Sequence, residues 1–282
     1  MTHDDHAPDH PHQGAALDAR PPHHGTGRAP DDHRTYEELL AEGLTTPFEG
    51  WDMGVFRGRF TETETALPWS YPGLVRERLP QAPSLLDLGT GGGEVLTSLA
   101  PLPARTAATE SYPPNVPVAR RNLEPLGIEV AEVGDDDKLP FPDDAFALIT
   151  SRHESYDPEE IRRVLTPDGT FVTQQVGGRD LEEVNQALGA PEHDYRDWDL
   201  ASAAEELTDA GLEIVWRQEA RIAATFRDIG ALALFLRITP WQVPDFTPER
   251  YADRLRALHE EMRAGRPLTV TCHRFALVAR PR

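Results

Sequence analysis

An aspartate two residues ahead of a glycine run carries the first recognisable chemistry of this chain: Asp87-Leu88-Gly89-Thr90-Gly91-Gly92-Gly93, followed by Glu94. The apolar run before it reads as a buried strand, and a helix pattern resumes at Glu94. Strand, tight turn and helix N-terminus in that order suit a nucleotide-like ligand, since glycines admit φ > 0 and let the backbone come close. A dinucleotide fingerprint would need its third glycine where Glu94 stands; here that glycine comes one residue early, at Gly93. A carboxylate at Asp87 would repel a pyrophosphate and attract ammonium and sulfonium charges. Glu110 lies about twenty residues beyond the turn, where a ribose wants an acid that accepts from both hydroxyls.

The string from Asp87 to Gly93 resembles motif I of the class I S-adenosylmethionine-dependent methyltransferases. Gly134-Asp135-Asp136-Asp137-Lys138-Leu139-Pro140-Phe141 is similar to that family's Gly-Asp segment, and Ile161 to Val172 to its helix-turn-strand. Two positions depart from the pattern: Ala147 stands for the usual Asp, and Asp168 for the commoner glycine. With Arg152-His153-Glu154 and Gln174-Gln175-Val176-Gly177, the whole resembles an uncharacterised bacterial group of type-11-like methyltransferases. The resemblance is specific over 84–176 and loose elsewhere.

It implies S-adenosylmethionine as cofactor, held by Asp87, Gly89, Thr90, Gly91, Gly93, Glu110, Ser111, Asp135, Asp136 and Arg152. In that role Asp135 would accept from the adenine amino group, and the Asp136 N–H would meet a ring nitrogen. Read without the resemblance, three adjacent acids are also a solvated turn or a divalent-ion site, and no metal is expected because no further ligand is identifiable. His153 and Glu154 are the candidate catalytic pair. The imidazole, ordinarily titrating near pH 6.5, would be the base, with Glu154 orienting it or taking the proton itself. Alternatively His153 packs or caps while Glu154 stays solvated, and transfer relies on positioning alone.

These residues need a frame. Strands are expected at Ser84–Gly89, Thr106–Thr109, Ile128–Val133, Ala145–Thr150 and Thr170–Val176, with helices between them. Such βαβ units give a parallel sheet with its ligand at the carboxyl ends, where Asp87, Glu110, Asp135 and Arg152 all fall. The fold class is therefore α/β: the Rossmann-like class I methyltransferase fold, a mostly parallel seven-stranded sheet, helices on both faces and an antiparallel last strand. Leu212–Trp216 starts a sixth strand and Leu268–Ala279 forms the last. Between them an insertion over about 226–267 holds an apolar helix, Trp241, and a helix capped by Thr247 with Pro248 at its first position.

Residues 34–80 form an N-terminal extension, with a capping box at Thr35 and Glu38 and a helix ended by Gly43. In this family such an extension lies over the site as a lid, so Trp51 and Trp69 are lid candidates, and Gln174 and Trp241 are candidates for the acceptor side. Gln174 and Gln175 point oppositely from one strand, so only one can enter the site. Residues 1–33 hold seven of the eleven histidines and almost no large apolar side chains, and are expected to be a disordered tail. The main domain is then 81–282.

The formal charge is −20, of which the tail carries −4, so the acidity belongs to the folded part. That argues against a nucleic-acid partner, which needs a basic footprint. A lone cysteine, Cys272, and no apolar run long enough to span a bilayer suggest a cytoplasmic protein without a membrane partner. The expected function is methyl transfer to an O or N atom of a small-molecule acceptor. The rivals are an RNA base methyltransferase, an NAD-dependent oxidoreductase and a non-catalytic S-adenosylmethionine- or metabolite-binding protein. Neither the acceptor nor the oligomeric state is legible.

Overall fold

The computed structural model describes residues 33–62, 66–134 and 138–282. Asp135 and Asp136 lie outside the described residues, as does all of the tail but His33. From Thr35 to Arg282 the chain forms one compact unit.

At its centre lie five parallel strands: β2 (Ser84–Leu88), β3 (Arg105–Glu110), β4 (Glu129–Glu132), β5 (Phe146–Arg152) and β6 (Leu165–Val176). Side chains alternate across a strand, so Leu85, Ala108, Leu148 and Val172 face one layer. That layer holds α2 (Tyr71–Arg76), α3 (Glu94–Ser98) and α4 (Val116–Leu123). Leu86, Ala107, Ile149 and Phe171 face the other, against α5 (Pro158–Val164) and α7 (Leu200–Asp209). Both faces are covered, which is why these strands read as continuous apolar runs.

An antiparallel hairpin completes the sheet: β7 (Leu212–Phe226) and β8 (Leu268–Pro281), with β8 against β6. β7 is three times longer than its expected opening segment, fifteen residues or about 50 Å. Only Arg274 to Ala279 of β8 pair with β6; Leu268 to His273 run on beyond the sheet's carboxyl edge. There the hairpin meets a second apolar core made by α1 (Tyr36–Thr45), α6 (Glu182–Leu188), α8 (Ile229–Ile238) and α9 (Ala252–Arg263). Phe60 and Phe226 stack at its centre and Phe235 packs across both, with ring centroids 4.4 to 5.5 Å apart.

Three expectations are corrected here. The sheet has eight strands among the described residues, ordered β1-β7-β8-β6-β5-β2-β3-β4. The added edge strand, β1 (Phe60–Glu62), comes from the N-terminal extension and pairs with the far end of β7. Gly43 does not end α1, which runs on to Thr45; a Cβ at Gly43 would stand 2.3 Å from the Gly230 carbonyl. Glycine is therefore there to let α1 and α8 touch. The helix expected from Thr247 begins at Ala252, after a turn in which Thr247 Oγ1 accepts from Arg250 N. No helix among the described residues is long and apolar enough to cross a membrane.

Candidate functional site

The turn after β2 is built as its glycines require. Gly89, Gly91 and Gly93 all have positive φ (59°, 62° and 85°). A Cβ on Gly93 would lie 2.6 Å from Leu123, so this glycine lets the start of α3 pack closely on α4. Thr90 is buried and closes the turn, its N–H donating to the Thr109 carbonyl and its own carbonyl accepting from Gly93.

Asp87, at the end of β2, is buried and accepts from Thr150 Oγ1 at 2.7 Å. Burial lifts its pKa to about 6, against the opposing pull of that hydroxyl and the charge of Arg152. Glu110, ending β3, is 3% exposed, and its carboxylate accepts from Gly91 N at 2.7 Å and Tyr112 N at 2.8 Å. Burial raises it to about 7; the Tyr112 N–H opposes that and the neighbouring charge of Glu154 adds to it. Two buried acids therefore share the floor of the site, each titrating near neutrality.

Glu154 takes an unexpected place. Its side chain lies on Gly89, where a Cβ would come within 2.3 Å of its Cγ, and its carboxylate accepts from Ser111 Oγ at 2.9 Å. It thus spans two residues expected to meet the cofactor. Beneath it a narrow cleft opens between the ends of β2, β3 and β5, with about 20 Å³ of free space and Leu88, Val133, Leu139, Tyr156 and Ile161 among walls that also carry Thr109, Ser155 and Asp157.

At the end of β5, Arg152 is half-buried beside His153. His153 has φ +62°, a left-handed conformation that costs a non-glycine residue about 1–2 kcal/mol. Its N–H donates to the Gln174 carbonyl at 2.8 Å and its Nε2 lies 3.1 Å from Gln174 Nε2. The side chain is open to solvent, yet protein crowds round it, as at the wall of a concavity. That crowding, with the charges of Arg152 and Arg274, holds the imidazole well below its ordinary pKa.

Gln174 and Gln175 divide their work as strand alternation requires. Gln174 Oε1 accepts from the Trp69 indole at 2.8 Å, while Gln175 Nε2 reaches the Glu154 carbonyl at 2.9 Å and fixes the 151–154 turn. Trp69 is buried and hydrogen-bonded. Trp51 and Trp241 are 41% and 49% exposed with rings 6.0 Å apart. Trp51 also lies over the turn, its Cδ1 2.9 Å from where a Cβ of Gly91 would be. The extension and the insertion therefore meet above the glycines.

One group escaped the sequence altogether. Arg274 is buried where the hairpin leaves the sheet, bonded to Asp180 at 2.5 Å and to Glu62 of β1 at 2.7 Å. Asp180 rises to about 6 through burial, opposed by Arg274. The only signal was a charge just ahead of the apolar run Phe275 to Ala279, and its partners are scattered in sequence.

Comparison with known proteins agrees with this geometry. Residues 86–173 match the family model described as a methyltransferase domain. An uncharacterised methyltransferase, YcgJ of Bacillus subtilis, is 30% identical over 97 residues, covering 31% of this chain and 38% of the relative. Demethylmenaquinone methyltransferase of Thermus thermophilus is 37% identical over 110 residues, covering 35% and 49%. The chain thus spans half or less of the length of these curated relatives. The crystal structure of YcgJ superposes with a TM-score of 0.52 at 19% identity, over 75% of this chain and 98% of that one. A methyltransferase-like structure from Bacillus halodurans gives 0.51 at 19%, over 73% and 97%. Residues 86–173 are thus similar to a methyltransferase domain, and the fold is that of these solved structures.

Proposed function

We propose that this protein methylates an O or N atom of a small molecule, using S-adenosylmethionine. The observation that carries the reading is the meeting, at the carboxyl ends of β2, β3 and β5, of a glycine cradle with two buried acids and a histidine. The residues fit such a donor. Glu110 stands where ribose hydroxyls would be held, Asp87 supplies negative charge for an ammonium group, and Gly89 and Gly91 leave room that a Cβ would fill. Ser111, Thr90 and Arg152 complete the first turn of contacts, and the sequence adds Asp135 and Asp136.

The donor, when bound, brings a methyl group already activated for displacement. The protein's own part is alignment and exclusion of water, which supply about 7–11 kcal/mol when groups are well oriented. Trp51 and Trp241 serve as cover, while Trp69 and Gln174 form the acceptor-side wall. The net charge of −20 supports a small acceptor over RNA. A buried lone thiol, Cys272, supports work in the reducing cytoplasm.

Calorimetry on ligand-stripped protein tests the cofactor: S-adenosylmethionine should bind and a pyridine dinucleotide should not. Incubating cell metabolite extract with isotope-labelled methyl donor then identifies the acceptor. Binding of the dinucleotide in place of the donor ends the reading, and binding without label transfer to any compound leaves a binding protein.

A further inference from the structure

The hydrogen bonds among Trp69, Gln174 and His153 determine where the imidazole proton sits. An indole nitrogen carries a hydrogen and no lone pair, so it only donates. The Gln174 atom 2.8 Å from Trp69 Nε1 is therefore the amide oxygen. The amide nitrogen, a donor only, is then the atom 3.1 Å from His153 Nε2. That ring nitrogen has to accept, and a neutral imidazole has one proton, which is left for Nδ1. Gln174 also holds the backbone: its carbonyl accepts from the His153 N–H and secures a left-handed residue. Strain of this kind persists only where its surroundings enforce it, and it concentrates at functional sites.

We infer that His153 is a hydrogen-bond donor through Nδ1–H, set by Trp69 and Gln174 as positioning residues, and that the acceptor arrives with its lone pair already free. The inference rests on the methyltransferase reading for its chemistry, but not for its geometry. Protonating Nε2 would turn an N–H toward the Gln174 NH₂ and cost both hydrogen bonds. The neighbouring charges of Arg152 and Arg274 oppose it as well. His153 is thus unsuited to the role of base expected from its sequence position. The fitting acceptor is a heteroaromatic nitrogen or an ionised oxygen, nucleophilic at neutral pH, with a second acceptor atom for Nδ1–H. In the transfer its lone pair forms the bond to the methyl carbon, the carbon–sulfur bond breaks and its electrons stay on sulfur. No proton moves to His153.

Nitrogen-15 NMR of histidine-labelled full-length protein, without cofactor or acceptor, reads the tautomer directly. Wild type should show a protonated Nδ1 and a bare Nε2. Gln174→Glu presents acceptor oxygens to both neighbours, so the tautomer should invert and the imidazole pKa should rise. Trp69→Phe keeps the ring but removes the indole donor, so the two tautomers should mix; this variant serves if the buried glutamate prevents folding. A protonated Nε2 in wild type, or a tautomer indifferent to both changes, overturns the inference. With an identified acceptor, His153→Asn, a residue tolerant of positive φ, should slow transfer about 10-fold, the worth of one hydrogen bond. At saturating donor, the rate should show no histidine titration at any pH where the protein stays folded. A loss of 10²-fold or more with such a titration makes His153 the base and also overturns it. Failure of donor binding in calorimetry would sink the methyltransferase reading and leave the tautomer result standing.

Discussion

Glu154 rests its side chain on Gly89, with its Cγ 2.3 Å from where a Cβ would be, and the two are coupled as tightly as backbone and side chain can be. Gly89→Ala therefore combines two penalties, a positive φ and a steric clash. Chemical unfolding should show a loss of about 1–2 kcal/mol from φ alone, and more from the clash. Adding Glu154→Ala should recover only the clash component. A double variant as unstable as the single one would mean that the side chain does not lie there.

The same glutamate raises its neighbour. Glu154→Gln removes a charge that pushes Glu110 up, so the Glu110 carboxyl should titrate below its present value of about 7 while staying above the ordinary range because it is buried. Carbon-13 detected titration of labelled glutamates reads this, and an unchanged Glu110 would refute the contact.

Buried acids of raised pKa, Asp87, Glu110 and Asp180 among them, make the ligand-free fold less stable as pH rises. Asp87 and Glu110 hold more protons folded than unfolded between about pH 4 and their folded values of about 6 and 7. The lowered histidines His153, His259 and His273 act in the opposite sense, but only below their unfolded value near 6.5. From about pH 6.5 to 8, Glu110 should then dominate, with a fall of about 1 kcal/mol in unfolding free energy. Donor affinity should climb over pH 5.5 to 8, since a cation favours the ionised acids; Asp87→Asn should flatten the lower part of that rise. Calorimetry at several pH values compares the wild type with that variant.

Removing the arginine from the Asp180–Arg274–Glu62 group should cost more than the pairs contribute. Arg274→Met leaves the buried Asp180 facing the half-buried Glu62, and breaking a buried group of this kind costs about 3–5 kcal/mol. Replacing all three residues by apolar ones of similar volume should return most of that stability. Thermal and denaturant unfolding of the two variants decide the matter.

The parallel half of this fold was legible because each element carried several agreeing signals. Asp87 to Gly93 combined a buried strand, a glycine turn and a helix start, and Asp157-Pro158 capped α5 as written, with Asp157 Oδ1 accepting from Glu159 and Glu160. Elements beyond Gly177 were less so, because their shape is decided by tertiary pairing. The alternation of β7 after Trp216 runs through Glu219 and Arg221 with small residues between, a pattern that only the pairing with β8 turns into strand. β1 is three residues long and has no signature of its own. In the site, types and positions were readable while orientations were not. Nothing in the string Arg152-His153-Glu154 says that Glu154 folds onto Gly89 or that an indole eighty-four residues upstream of it governs the imidazole. Those follow from rotamers and from a positive φ that few histidines adopt.

The long hairpin has a mechanical corollary. Because β7 and β8 pass from the parallel sheet into the helical layer above it, two long paired strands tie the two together. The two stretches that bring Trp51 and Trp241 together, Thr46 to Arg59 and the link between α8 and α9, lie outside that hairpin.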